Sequence, residues 1–339
     1  ARLIERGGPI PVSLYMAYAN AHYYATRDPF GAGGDFITAP EISQMFGEII
    51  GLWAADLMLR ADAGRSAAWV ELGPGRGTLS ADALRALARV GIEPAVHFVE
   101  TSPVLKDMQA AAIPGATFHA DVSTLPGDCP LIVIANEFFD ALPVRQIERT
   151  AVGWRERQVG FSGGKFTPLL GSVPMDAAVP PHLRGEAAGA ILESSPASVA
   201  IMGDLARAVS AQGGAILAID YGHVRTAPGD TLQALSRHSY ADVFSDPGER
   251  DLTVHVDFEA LGDAARAGGA RMHGPVAQGA FLFALGLGAR ADALAKAHPV
   301  RAEAIAGELA RLTAPDQMGD LFKVIGVAAP HWPVPEGFA

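Results

Sequence analysis

The chain has 339 residues, with 26 Lys and Arg against 37 Asp and Glu, a formal net charge of −11. That balance argues against a nucleic-acid binder, which needs clustered Lys and Arg to displace counterions, and suits a cationic partner such as a basic protein. A single cysteine, Cys129, excludes an intramolecular disulfide and every cysteine-rich zinc site, and no apolar run reaches the roughly 18 residues that span a bilayer.

The first strong pattern is helical. Ile42, Met45, Phe46, Ile49, Trp53 and Leu57 keep helical spacing over 41–62, and Thr38, Pro40 and Glu41 read as a capping box with proline in the first turn. Apolar runs then recur at 68–72, 96–100, 116–120, 131–135 and 215–220, with helical stretches such as 78–90 between them. This is the rhythm of an α/β protein whose mostly parallel sheet is covered on both faces. Residues 144–170 predict a hairpin about Gly163-Gly164, and 232–258 is polar and irregular. A helix over 289–312, a strand over 321–328 and a tail from Pro330 complete the reading.

The sharpest motif runs from Glu71 through Gly73-Pro74-Gly75-Arg76-Gly77-Thr78, a strand entering Gly-x-Gly-x-Gly and then a helix. Glycines there let the backbone turn tightly and approach a ligand, while free amides at the helix start favour negative charge. A P-loop needs Gly-Lys-Ser/Thr, and Gly77-Thr78 lacks the lysine. A dinucleotide fingerprint needs a third glycine where Thr78 stands. A loop for S-adenosylmethionine, with an acid two residues before the glycines, fits without a gap. The next strand ends at Glu100, about 20 residues on, where a carboxylate accepts ribose hydroxyls in dinucleotide enzymes and methyltransferases alike. Thr101 follows it, and Asp121 and Val122, after the third strand, are candidates for the adenine.

The fourth strand runs into Asn136-Glu137-Phe138-Phe139-Asp140, where an open α/β sheet presents residues to the reacting end of its ligand. Glu137 and Asp140 form a candidate carboxylate pair for orienting a guanidinium and receiving its proton, with Phe138 and Phe139 flanking the flat cation. Glu137 capping a turn, with both phenylalanines in the core, explains the same residues equally well. An extended 251–258 segment presents Thr253, His255 and Asp257 on one face, adding His255 and Asp257 as catalytic candidates; a solvent-facing edge strand is the alternative. No third ligand stands at a metal-binding spacing, so no metal is expected. Gly160-Phe161-Ser162-Gly163-Gly164 mimics a serine-hydrolase elbow, but Pro168 opposes the helix that such an elbow requires.

Taken together, residues 33–44, 71–79, 136–144, 218–222, 251–258, 278–282 and 318–324 resemble the MidA-like class I methyltransferases, over nearly the whole chain. The resemblance implies a Rossmann-like seven-stranded sheet of order 3-2-1-4-5-7-6 with an antiparallel last strand, plus helical and hairpin insertions. It implies one methyltransferase domain over 1–339, with an N-terminal closing segment at 1–62, a hairpin insertion at 144–182 and a substrate-side insertion at 232–262. It further implies S-adenosylmethionine as cofactor, S-adenosylhomocysteine as product, and symmetric dimethylation of an arginine in a respiratory complex I subunit during assembly. By motif, Gly73, Pro74, Gly75, Gly77, Thr78 and Asn136 would line the cofactor, Glu100 would hold its ribose, and Thr38, Pro40, Glu41 and Gln44 would close over it. Ala21-His22-Tyr23-Tyr24 replaces the Gly-Tyr-Tyr-like approach to the signature of many relatives. The expected compartment is the cytoplasm for a bacterial chain and the mitochondrial matrix for a eukaryotic one whose targeting segment is removed. A non-catalytic assembly chaperone that binds the cofactor and an NAD-dependent oxidoreductase are the rival functions.

Overall fold

The computed structural model describes residues 1–26, 38–63, 66–236 and 239–338; residues 33–37 of the N-terminal signature lie outside them. Seven strands make the central sheet: β1 (Ala68–Leu72), β2 (Val96–Val99), β3 (Thr117–His119), β4 (Leu131–Asn136), β5 (Gly214–His223), β6 (Arg271–Ala277) and β7 (Phe322–Ala328). Their order is 3-2-1-4-5-7-6, with β1 to β5 paired in parallel and β7 antiparallel to both β5 and β6. This is the order implied by the resemblance. A two-residue strand, Val256–Asp257, pairs beside the end of β5.

Burial on both faces explains why the middle strands are continuous apolar runs. Trp69, Ile132, Ile134, Leu217 and Ile219 point into one layer, and Val70, Val133, Ala135, Ile216 and Ala218 into the other, following the two-residue period. The first layer is covered by α2 (Gln44–Arg60) and α3 (Thr78–Arg89), the second by α4 (Pro196–Gln212) and α5 (Phe258–Ala267). Close approach of α2 and α3 depends on Gly51, where an added Cβ would lie 2.5 Å from the Ala83 carbonyl oxygen.

Four sequence expectations need correction. The helix over 41–62 is broken: Ala39–Ile42 forms one turn, Ser43 is extended, and α2 starts after it with the Ser43 hydroxyl accepting from the Met45 N–H. Thr38 makes no side-chain cap, so the capping box does not form. The helix over 289–312 is two, Leu287–Ala297 and Ala302–Thr313, because Pro299 cannot continue the first. The segment from Pro330 is docked rather than loose: Trp332 is buried, its carbonyl accepts from Arg271, and Phe338 packs on Phe281.

Outside the central sheet, Arg145–Thr150, Gly153–Ser162, Lys165–Pro174 and Ile191–Ser194 join Ile10–Pro11 in an antiparallel sheet. Ser162 pairs with Lys165 across Gly163-Gly164, so Ser162 ends a hairpin strand and is no nucleophile elbow. Gln233–Ser236, Ser239–Ala241 and Asp251–Thr253 make a third, small sheet. The N-terminal helix α1 (Val12–Thr26) packs under it, with Tyr15 hydrogen-bonded to the Val243 carbonyl.

Candidate active site

At the carboxyl edge of β1, β2, β4 and β5, the sheet, α1 and the small sheet enclose a cavity of about 770 Å³. That lies within the range of roughly 300–1,000 Å³ typical of small-molecule sites. Gly73 and Gly75 line it with bare backbone, and Gly73, Gly75 and Gly77 all have positive φ of 54° to 82°. A Cβ on Gly73 would come within 3.1 Å of the Phe138 ring, so the turn and the contact both require glycine. Gly77 caps α3 without itself reaching the cavity. Thr78 donates to Glu41 at 2.6 Å and Arg76 pairs with Glu41 at 3.6 Å, so the Glu41 carboxylate ties the Ala39–Ile42 turn to the glycine loop.

Glu100 follows β2 and faces the cavity beside Thr101 and Asp121. Its Oε1 accepts from the Thr101 and Ser102 N–H groups, each at 2.7 Å, and its Oε2 accepts from Gln109 at 3.1 Å. Gln109 also donates to the Gly75 carbonyl, joining the carboxylate to the loop. Asp121 caps the turn Val122–Thr124, and Val122 lines the same end. Thr38, Pro40, Glu41, Pro74, Thr78, Asn136 and Glu137 surround a small cleft next to the main cavity. Gln44 reaches neither; it donates to Glu48. The acid before the glycines, Glu71, is buried against Ser80, and desolvation pushes its carboxyl up to about 8.

The opposite end is acidic. Glu137 holds a left-handed backbone, φ 50°, unusual for a residue with a Cβ and a form of strain that clusters at functional sites. Its Oε1 accepts from the Ala39 N–H and from Asn136 Nδ2, both at 3.2 Å. Asp140 is 6% exposed; Oδ2 accepts from the Tyr221 hydroxyl at 2.7 Å, and Oδ1 is buried without a hydrogen-bond partner. Behind it lies the fully buried Asp220, which accepts from the N–H groups of Tyr221, Phe139 and Asp140. Desolvation, reinforced by Asp140, pushes Glu137 up to about 7; desolvation pushes Asp140 up to about 6. Desolvation, then Asp140 and Glu137, hold Asp220 well above the usual carboxylate range.

His255 lines this end edge-on to Tyr221, and burial followed by His223 lowers its pKa, which favours the neutral imidazole. Asp257 is a correction: it caps α5, accepting from the Ala260 N–H and from Thr226, and lies outside the cavity. Thr253 and His255 both line the cavity, as the alternation predicts, and only Asp257, in the separate strand Val256–Asp257, leaves that face. Phe139 is core, whereas Phe138 lines the cavity. Asn20 and Tyr24 on α1 also reach this site; Tyr24 belongs to the Ala21-His22-Tyr23-Tyr24 segment, while no local sequence pattern marks Asn20.

A family model described as "Putative S-adenosyl-L-methionine-dependent methyltransferase" matches residues 49–276. The chain belongs to this methyltransferase family. Curated relatives include the mitochondrial "Protein arginine methyltransferase NDUFAF7" of Xenopus laevis, 34% identical over 97% of this chain and 83% of that one. The Drosophila melanogaster homologue is 36% identical over 96% and 83%. A solved Burkholderia thailandensis structure, described as a likely methyl transferase bound to S-adenosylhomocysteine, matches with a TM-score of 0.84 and 27% identity, covering 99% of this chain and 92% of that one.

The methyltransferase's own residues fit the family's cofactor, S-adenosylmethionine. Gly73 and Gly75 leave room along the loop, and Glu100 keeps acceptor capacity toward the cavity beyond its three donors. Asn136 Oδ1, buried without a partner beside the small cleft, is an acceptor suited to an ammonium group.

Proposed function

We propose that this methyltransferase transfers a methyl group to an arginine side chain of a basic protein, by symmetric dimethylation of a respiratory complex I subunit during assembly. The observation that carries the acceptor chemistry is the acidic end of the cavity wall: Glu137, Asp140 and Asp251 line it, with no lysine or arginine among the described lining residues. Such a wall favours a cation and repels none. The relatives' names, protein arginine methyltransferase, and the family resemblance support arginine and complex I respectively. Those names also support a mitochondrial location for a eukaryotic chain; the matrix within it, and the cytoplasm for a bacterial chain, belong to the same proposal.

When bound, S-adenosylmethionine supplies a methyl group already activated by its sulfonium. The protein's task is then to hold a guanidinium nitrogen in line and to take one proton, since the methylated guanidinium keeps a single positive charge. A guanidinium is fully protonated at neutral pH and a poor nucleophile. Glu137 and Asp140 orient it, and Asp140 Oδ1, buried and unpartnered, accepts the proton. Burial favours this role, because both carboxyls sit near neutrality before the cation arrives.

Methyl-labelled cofactor incubated with the purified protein and a cell extract, followed by complete hydrolysis and chromatography, tests the reading. Label in symmetric dimethylarginine is expected. Label in lysine, or tight cofactor binding with no label transferred, refutes it; the second result favours a non-catalytic chaperone.

A further inference from the structure

The acidic end of the cavity holds a second tyrosine and carboxylate pair. Asp251 opens the strand Asp251–Thr253, is 3% exposed and lines the cavity, and its Oδ2 accepts from the Tyr24 hydroxyl at 3.0 Å. It repeats the arrangement of Asp140 with Tyr221, using residues from α1 and the small sheet in place of β4 and β5. Tyr24 lies within the field of both acids: burial, then Asp251, then Asp140 hold its hydroxyl well above its usual range.

Asn20 ties the two pairs together. Its Nδ2 donates to the carbonyls of Ala141 at 3.0 Å and Leu252 at 2.8 Å, and its Oδ1 accepts from the Leu252 N–H at 3.1 Å. Those are the residues immediately after Asp140 and Asp251. A further bond from the Val254 N–H to the Asp140 carbonyl, at 3.0 Å, closes the frame. One buried side chain on α1 thus fixes the backbones that carry both carboxylates, and each tyrosine fixes the rotation of its own.

From this frame, with the unpartnered Asp140 Oδ1 on the same cavity wall, we infer that Asp251 is a further carboxylate binding the acceptor guanidinium, beside Glu137 and Asp140, and that the Asp140 and Asp251 pair selects arginine over lysine. Tyr24 and Asn20 are its positioning residues. A guanidinium is a rigid plane with five N–H donors and engages two carboxylates held at fixed positions, whereas an ammonium is a compact point charge whose three donors gather around one. Lysine would satisfy either acid alone; arginine uses both. The inference rests on the arginine reading above and adds to it a residue, a frame and a discrimination.

The test is calorimetric, with the full chain saturated in S-adenosylhomocysteine and two short Gly/Ser peptides that differ only in one arginine or one lysine. The unaltered protein is expected to prefer the arginine peptide. Asp251→Asn should erase that preference and weaken arginine binding roughly tenfold to a hundredfold, the range for a lost charged hydrogen bond, with affinity for S-adenosylhomocysteine unchanged as proof of folding. Asp251→Glu should restore part of it. In a separate turnover assay with S-adenosylmethionine, Tyr24→Phe, which keeps the acid but releases its rotation, should raise KM for the arginine peptide while sparing kcat. If Asp140→Asn weakens the arginine peptide while Asp251→Asn keeps full affinity and preference, the inference fails and the arginine reading stands. If the unaltered protein shows no preference for arginine, both fail.

Discussion

The two ends of the cavity are built by different rules. The glycine-loop end comes from consecutive strand ends of one sheet: Gly73 and Gly75 after β1, Glu100 after β2, Asp121 after β3. Its polar groups are met largely by neighbours in sequence, as when Glu100 accepts from Thr101 and Ser102. The acidic end draws on four distant segments, with Tyr24, Asp140, Tyr221 and Asp251 meeting across more than 200 residues of chain: the Tyr24 to Asp251 bond spans 227. There Glu137 is held in a left-handed conformation and three carboxyls are pushed upward by burial, Glu137 further by Asp140 and Asp220 further by Asp140 and Glu137. The first end meets its charged group, Glu100, with three donors on folding, whereas the second is left short of positive charge, an arrangement that a cationic ligand completes.

Separating the two ends by mutation gives the largest expected effect. Asp140→Asn keeps an acceptor for Tyr221 but removes the charge, and methyl transfer should fall by roughly 10²- to 10⁴-fold, the usual worth of a positioned acid or base. Titration with S-adenosylhomocysteine should show unchanged affinity. Glu100→Gln should do the reverse: cofactor affinity down roughly tenfold, as for a weakened charged hydrogen bond, with turnover at saturating cofactor nearly intact. Equal losses in both parameters for both variants would mean that the ends are not independent.

The same contrast decides what was legible in the sequence. The strands themselves and the glycine loop could be read because sheet burial imposes continuous apolar runs and the tight turn imposes glycine, both local constraints, whereas the strand order followed only from the family resemblance. Glu137 and Asp140 were visible because they follow β4 directly. The roles of Asn20 and Tyr24 were not, since each acts through a partner over 100 residues away, and Ala21-His22-Tyr23-Tyr24 stood out only as a departure from the relatives' approach to the signature. Asp257 misled for a related reason: alternation in sequence marks one face only while pairing continues, and pairing stops after Thr253. Glu41 read as a helix cap because the spacing allowed it, yet Thr78 and Arg76 claim its carboxylate from the glycine loop.

A smaller effect should appear on titration. A guanidinium binds ionised carboxylates, and those of the ligand-free protein lie near 7 for Glu137 and 6 for Asp140. kcat/KM for an arginine peptide reports the free enzyme, so it should rise from pH 5.5 to about 8 and then level. Asp140→Asn should remove the lower part of that rise. A flat profile for the unaltered enzyme across this window would place the productive acids elsewhere.

The smallest effect concerns stability and bears on why the acidic end differs at all. A carboxyl raised from 4.5 to about 7 in the folded protein contributes stability fully below its unfolded value, and loses it as pH climbs through 7. Above that, ionised Glu137 is a cost to the ligand-free fold that Glu137→Gln does not bear. At about 1.4 kcal/mol per unit, the full shift corresponds to about 3 kcal/mol, and screening at the open cavity reduces this to about 1 or 2. Thermal melts of the two proteins should therefore diverge in favour of the variant between pH 5 and pH 8, by about 1 to 3 degrees. The variant should at the same time lose methyl transfer. Divergence in that direction would mean that the charge needed to bind an arginine is kept at the expense of the fold, and a difference independent of pH would mean that Glu137 is not strained by its charge.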